Sequence, residues 1–97
     1  MKQLHTNDNY KILQVELSAG SSMPRHFVTS DSFIIVETGT AMLFFVDQTY
    51  ELMPGAYMNI PAGEHHMLTV NDDFKAFIVM DRTCQIKFLE QESTVVN

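Results

Sequence analysis

Cysteine, basic residues and long apolar runs are all scarce in this sequence of 97 residues. Its one cysteine, Cys84, cannot form an intramolecular disulfide or a thiolate metal cluster, which fits a reducing compartment. Six Lys and Arg stand against 12 Asp and Glu, so the formal net charge is −6. Attraction to nucleic acid or to an anionic membrane needs clustered basic residues, so we expect neither as a partner.

The sequence also has no stretch near the run of about 20 apolar residues that spans a bilayer. Residues 1–9 are polar and contain no apolar signal-peptide core, so we expect a cytoplasmic protein. Apolar residues make up 45% of the chain and charged residues 19%, which suits a folded protein. We expect a single domain over 1–97, with its core at about 10–90 and polar tails at 1–9 and 91–97.

The dominant pattern is an alternation of apolar and polar residues, interrupted by turn signals about every ten residues. It predicts about nine strands and little helix, at residues 10–17, 23–28, 32–37, 41–46, 49–53, 56–60, 65–70, 74–80 and 85–89. Segments 33–36 and 42–46 are apolar on both faces, so both faces need cover. The fold class is therefore all-β, a double-sheet jelly-roll barrel, and we expect a homodimer to cover an outer face.

Two sets of residues follow fixed spacings. In the first, Gly20 is followed after five residues by His26, and then come Val28, Ser32 and Gly39. In the second, the successive members are Gly55, Pro61, Gly63, His66 and Val70. Both spacings resemble the two conserved motifs of the cupin superfamily, over roughly residues 20–70. The first motif has a second His where Val28 stands and a Glu where Ser32 stands, and the second motif ends in Asn where Val70 stands.

The resemblance implies a double-stranded β-helix barrel whose motifs supply three His and one Glu to a metal ion. Only His26 and His66 of that set are present. Two neutral imidazoles hold most divalent ions weakly, and Zn²⁺ usually takes three protein ligands, so we expect at most a weakly held Fe, Mn, Ni, Cu or Zn ion. His65 can become a third ligand only if a β-bulge turns it inward, because alternation directs it to the opposite face.

Alternation places a set of side chains on the inner face, and these are the candidate ligand-binding residues: His26, Val28, Ser32, Ile34, His66 and Leu68. The favoured function is a small cupin that binds a small, partly apolar organic molecule, with the two histidines as the orienting polar groups. One alternative is a metal-dependent dioxygenase, oxidase or isomerase that uses the same histidines. Another is a structural or regulatory dimer whose barrel is filled and whose histidines bond each other or water. The sequence assigns no catalytic residue.

Overall fold

The computed structural model describes residues 1–89, and their backbone forms strands joined by turns. Within this part of the chain there are ten strands: β1 (Lys2–Thr6), β2 (Tyr10–Leu17), β3 (Ser22–Val28), β4 (Ser32–Thr38), β5 (Ala41–Phe45), β6 (Thr49–Leu52), β7 (Tyr57–Ile60), β8 (His66–Val70), β9 (Phe74–Asp81) and β10 (Ile86–Phe88). The described residues contain no helix that could cross a membrane.

The strands form two antiparallel sheets of five strands each. Sheet A has the order β1-β2-β9-β4-β7, and sheet B has the order β10-β3-β8-β5-β6. Their inner faces pack against each other because the inward-facing residues of the longer strands are mostly apolar. In β9, for example, Phe74, Ala76, Ile78 and Met80 are buried while the residues between them are not. The core therefore lies between the two sheets, as in a jelly roll.

The predicted fold class is confirmed, and the strand limits agree closely with the predicted ones. The difference is β1, which lies in a segment that we expected to be a polar tail. All five of its residues are exposed, so the strand has no alternation of buried and exposed positions that a sequence pattern could indicate. Its backbone nevertheless pairs with β2, because ladder hydrogen bonds do not depend on apolar side chains. The predicted tail at 91–97 lies outside the described residues.

The outer face of sheet A is apolar at its centre. The cross-strand register forms two rows on this face, Ile12–Val79–Phe33 and Phe77–Ile35–Tyr57. Phe33 and Ile35 are each 39% exposed and Tyr57 is 69% exposed. We call these six residues the outer patch. Such a contiguous apolar surface is uncommon on a monomer and is typical of an interface.

Candidate functional site

The structure brings the two predicted histidines together on the inner face of sheet B. His26 of β3 and His66 of β8 are direct cross-strand partners. Their ring centroids are 4.2 Å apart with the planes at 66°, and the residues are only 5% and 3% exposed. The sequence spacing had placed both on inner faces, and the β3–β8 pairing makes them neighbours.

Each imidazole is held by a backbone carbonyl two residues before it. His26 Nδ1 lies 2.6 Å from the carbonyl oxygen of Pro24, and His66 Nδ1 lies 2.9 Å from that of Glu64. In β3 the register shifts between Met23 and His26, and the proline at this irregularity has no N–H to contribute to a ladder. Both rings are therefore fixed by local backbone geometry.

These hydrogen bonds determine which ring nitrogen is free. A carbonyl oxygen only accepts, so Nδ1 of each ring carries the proton and Nε2 of a neutral ring carries a lone pair. Burial lowers the pKa of His26 and of His66 below 6.5, although the carbonyl bonds act in the opposite direction. Both rings are neutral at pH 7, and Nε2 bonds to no other described residue. The pair thus offers two electron-pair donors and no acidic proton to a guest.

The two histidines line a narrow cavity inside the barrel. The predicted residues Val28, Ser32, Ile34 and Leu68 line the same cavity, and so do Val15, Met23, Leu43, Ile60, Phe74, Ile78, Met80 and Ile86. The Ser32 side chain is buried, and its Oγ has no hydrogen-bond partner among the described residues. The cavity volume is about 30 Å³, which suits about two water molecules. An apolar chamber therefore holds three polar groups that can bind a small guest.

The histidine pair belongs to a row of four rings across sheet B. Phe88 lies opposite His26, and Phe45 lies opposite His66 in the strand register. Ring centroids are 5.1 Å apart for Phe88 and His26 and 5.3 Å apart for Phe45 and His66. Sequence reasoning missed both phenylalanines, since a single sequence shows which residues alternate but not which strands pair. Two aromatic rings thus flank the imidazoles.

His65 lies away from this cavity. It is exposed on the outer face of sheet B, where its ring stacks on Phe27 with centroids 5.4 Å apart. The structure contains no bulge at His65 that turns it inward. No group of three or more His, Cys, Asp and Glu in residues 1–89 is arranged to hold a metal ion. The residues present therefore do not fit the full set of three His and one Glu.

A larger cleft opens beside the histidine pair. Its volume is about 330 Å³, and it is lined by residues of both sheets and their connections: Phe45, Asp47, Gln48, Tyr50, Met58, Asn59, Pro61 and Glu64. We call it the outer cleft. It shares no lining residue with the inner cavity. The outer cleft is thus a separate space at the edge of the barrel, between the β5–β6 hairpin and β7.

No protein-family model and no curated protein matches this sequence. Solved structures do match it. A cupin-2 domain protein from Shewanella frigidimarina is 28% identical, with a TM-score of 0.70, over 81% of this chain and 76% of that one. A protein from Methanocaldococcus jannaschii, described as RmlC-like with a double-stranded β-helix fold, is 20% identical with a TM-score of 0.75, over 84% and 77%. The polyketide cyclase RemF from Streptomyces resistomycificus is 25% identical with a TM-score of 0.75, over 89% and 64%.

These similarities identify the fold as that of a small cupin domain. The resemblance given by the two motifs is confirmed. Structures of this fold include an enzyme, the polyketide cyclase, so the fold alone does not select one function.

Proposed function

We propose that this small cupin binds a small, partly apolar organic molecule in its barrel, with His26 and His66 as the polar groups that orient it. The observation that carries the proposal is the anchoring of both Nδ1 atoms by carbonyls. It leaves the Nε2 lone pairs of two rings, whose centroids are 4.2 Å apart, available to a proton donor or a cation in an apolar chamber. A molecule with a hydroxyl or amine group on an apolar body satisfies both parts of the site.

The first test follows the imidazole nitrogens by NMR while benzyl alcohol is added at pH 7.5. We expect the Nε2 resonances of both rings to shift, and the effect to be lost in His66→Leu. Because protonation removes the Nε2 lone pairs, affinity should fall as the pH drops below the lowered pKa of the pair. Shifts confined to outer residues, or unchanged affinity in His66→Leu, would contradict the proposal and favour the filled-barrel alternative.

A weakly held transition metal ion is the second candidate for the same pair. The favourable observation is that the donors are neutral imidazoles whose Nδ1 atoms are already oriented, as is usual for metal ligands. Met23 and Met80 line the same cavity and add soft thioether groups. Metal analysis of protein purified without chelator separates the two candidates. Copurified metal of up to one equivalent that is lost on dialysis supports the weakly held metal, and its absence supports the organic ligand.

We also propose that a second copy of the chain covers the outer patch. Its six residues form one apolar surface in the middle of sheet A, while an exposed pair of opposite charges, Lys75 and Glu37, lies 4.0 Å apart towards one end of the sheet. In a dimer with a two-fold axis, the outer patch of one copy packs against the outer patch of the other. The apolar residues of both copies are then buried. Homodimer interfaces are also more apolar than other protein surfaces.

Sedimentation equilibrium tests the dimer directly. We expect about twice the chain mass of 11.1 kDa at micromolar concentration. Ile35→Glu should shift the mass towards the monomer, because it places like charges across the two-fold axis. Met67→Glu, on the outer face of sheet B, is the matched control and should leave the dimer intact. A wild-type mass near that of one chain would exclude this interface.

A further inference from the structure

The inner cavity is too small for an organic ligand with an apolar body. Its volume of about 30 Å³ is far below the roughly 300 to 1,000 Å³ of ordinary ligand pockets. A molecule with an apolar body can reach His26 and His66 only if a neighbouring side chain moves. Identifying that side chain, and the chemical groups that the entering molecule needs, rests on the proposed function.

The outer cleft has the space that the inner cavity lacks. Its volume of about 330 Å³ is within the range of ligand pockets. Phe45 and Tyr50 line it from sheet B, and Met58 lines it from sheet A, so it opens between the two layers that enclose the core. A ligand that enters between the layers meets the barrel interior without disrupting a strand pair.

Two residues of the outer cleft contact His66. The Phe45 ring lies 5.3 Å from the His66 ring, and the Glu64 carbonyl accepts the hydrogen bond from His66 Nδ1. The Glu64 contact is part of the backbone, whereas Phe45 contributes a side chain that can rotate. Phe45 is only half-buried, and its ring also meets Tyr50 edge-on at 5.8 Å. Phe45 thus lines the outer cleft and contacts the His66 imidazole with its own side chain.

The charges of the site constrain what can enter. The outer cleft carries two carboxylates, Asp47 and Glu64, and neither Lys nor Arg lines the cleft or the inner cavity. At the inner end the two Nε2 atoms are acceptors. A carboxylate or phosphate group would meet two carboxylates and no cationic side chain, whereas an ammonium group can donate to both imidazoles and a hydroxyl group to one of them.

We propose that Phe45 is the gate between the outer cleft and the histidine pair, and that the entering molecule is a neutral or cationic donor, such as an amine or alcohol, on an apolar body. Rotation of the Phe45 ring joins the cleft to the cavity. The open arrangement is the minor state of the wild type. The apparent affinity of the wild type for a ligand is therefore the affinity of the open state multiplied by the fraction of molecules that are open.

The experiment measures the affinities of four probes of similar shape: benzylamine, benzyl alcohol, benzoate and toluene. They are titrated against the wild type, Phe45→Ala and Phe44→Ala by NMR. Phe44→Ala is the matched control, since Phe44 is the adjacent residue of β5 and faces outward. Minor states are populated at about 0.1 to 10%, so removing the gate should raise the affinity for benzylamine and benzyl alcohol by about tenfold or more. Phe44→Ala should have no such effect.

The other two probes separate a gate from a hole left by the missing ring. Toluene fits such a hole but cannot donate a hydrogen bond, and benzoate carries the excluded charge. We expect both to bind Phe45→Ala at least about tenfold more weakly than benzylamine, a difference of about 1.4 kcal/mol. If toluene gains as much affinity for Phe45→Ala as benzylamine does, filling of the space left by the ring explains the effect, and the gate proposal is wrong. Equal binding of benzoate would overturn the charge requirement.

Further variants distinguish failure of the gate from failure of the proposed function. If Phe45→Ala does not fold, Phe45→Leu provides a smaller opening and should give a gain in the same direction. If Phe88→Ala opens the site and the Phe45 variants do not, the gate assignment is wrong while binding at the histidines stands. If benzylamine binds Phe45→Ala and Phe45→Ala/His66→Leu equally, the proposed function itself is wrong.

Discussion

Replacing Val28 with His and Ser32 with Glu is expected to create a site that binds a divalent metal ion tightly beside His26 and His66. Val28 and Ser32 line the same cavity as the two histidines, and each is 3% exposed. The double variant therefore adds an imidazole and a carboxylate within the chamber. Four protein ligands, one of them charged, match the requirements of Fe, Mn or Ni far better than two neutral rings do.

The stability of the double variant should depend on that metal. Without it, each buried polar group that lacks a partner should cost about 1 to 3 kcal/mol of the free energy of unfolding, and packing two larger side chains into a cavity of about 30 Å³ should cost about 1 to 3 kcal/mol more. A metal present at about 100 times its dissociation constant should add about 2.7 kcal/mol to the folded state. The gain should fade below about pH 6, where histidines protonate and release the metal. Thermal unfolding with and without added Ni²⁺ measures both effects.

The control places the same two side chains on the outer face of sheet B, as Thr69→His and Thr49→Glu. Thr69 pairs with Met42 and Thr49 pairs with Phe44, so both face away from the cavity, and neither belongs to the outer patch. The control should gain little or no metal-dependent stability. Equal stabilisation of the control, or a wild type that already retains one equivalent of metal through dialysis, would show that positions 28 and 32 are not vacated ligand positions.

Much of this fold could be predicted because each long strand carries its own signal. β2 was predicted with the same limits, 10–17, and β9 differs by one residue at its end. The candidate pocket could be predicted for the same reason. Residues two apart in a strand share a face, so the inward positions of β3, β4 and β8 follow from the limits of the strands. Val28, Ser32, Ile34 and Leu68 all line the cavity.

What the sequence could not predict depends on contacts between strands. Phe45 and Phe88 lie far apart along the chain, and only the register of β5 with β8 and of β10 with β3 brings them beside the histidines. The volume of the cavity could not be predicted from the sequence either, since it depends on how the side chains of two sheets interdigitate. The sequence predicted six of the fourteen residues that line the chamber, and the structure shows how little space the fourteen leave.

Gly39→Ala is expected to be among the most destabilising single changes to this fold. Gly39 has a φ of 84°, in the left-handed region that costs a residue with a Cβ about 1 to 2 kcal/mol. A Cβ at this position would lie 1.9 Å from the carbonyl oxygen of Asp73 and 2.8 Å from Cα of Phe74. Relieving such a backbone clash should cost about 1 to 3 kcal/mol more. Urea unfolding of Gly39→Ala should therefore show a loss of about 2 to 5 kcal/mol.

Gly55→Ala is the control that isolates the clash. Gly55 has a similar φ of 88°, but a Cβ there would meet no atom within 4 Å. Its cost should be limited to the backbone strain of about 1 to 2 kcal/mol. Because Phe74 lines the inner cavity, a shift of its backbone in Gly39→Ala should also disturb the His26 and His66 resonances, which Gly55→Ala should leave unchanged. Equal losses of stability in the two variants would mean that the motif glycine at position 39 is required for its backbone conformation alone, and not for its close contact with Asp73.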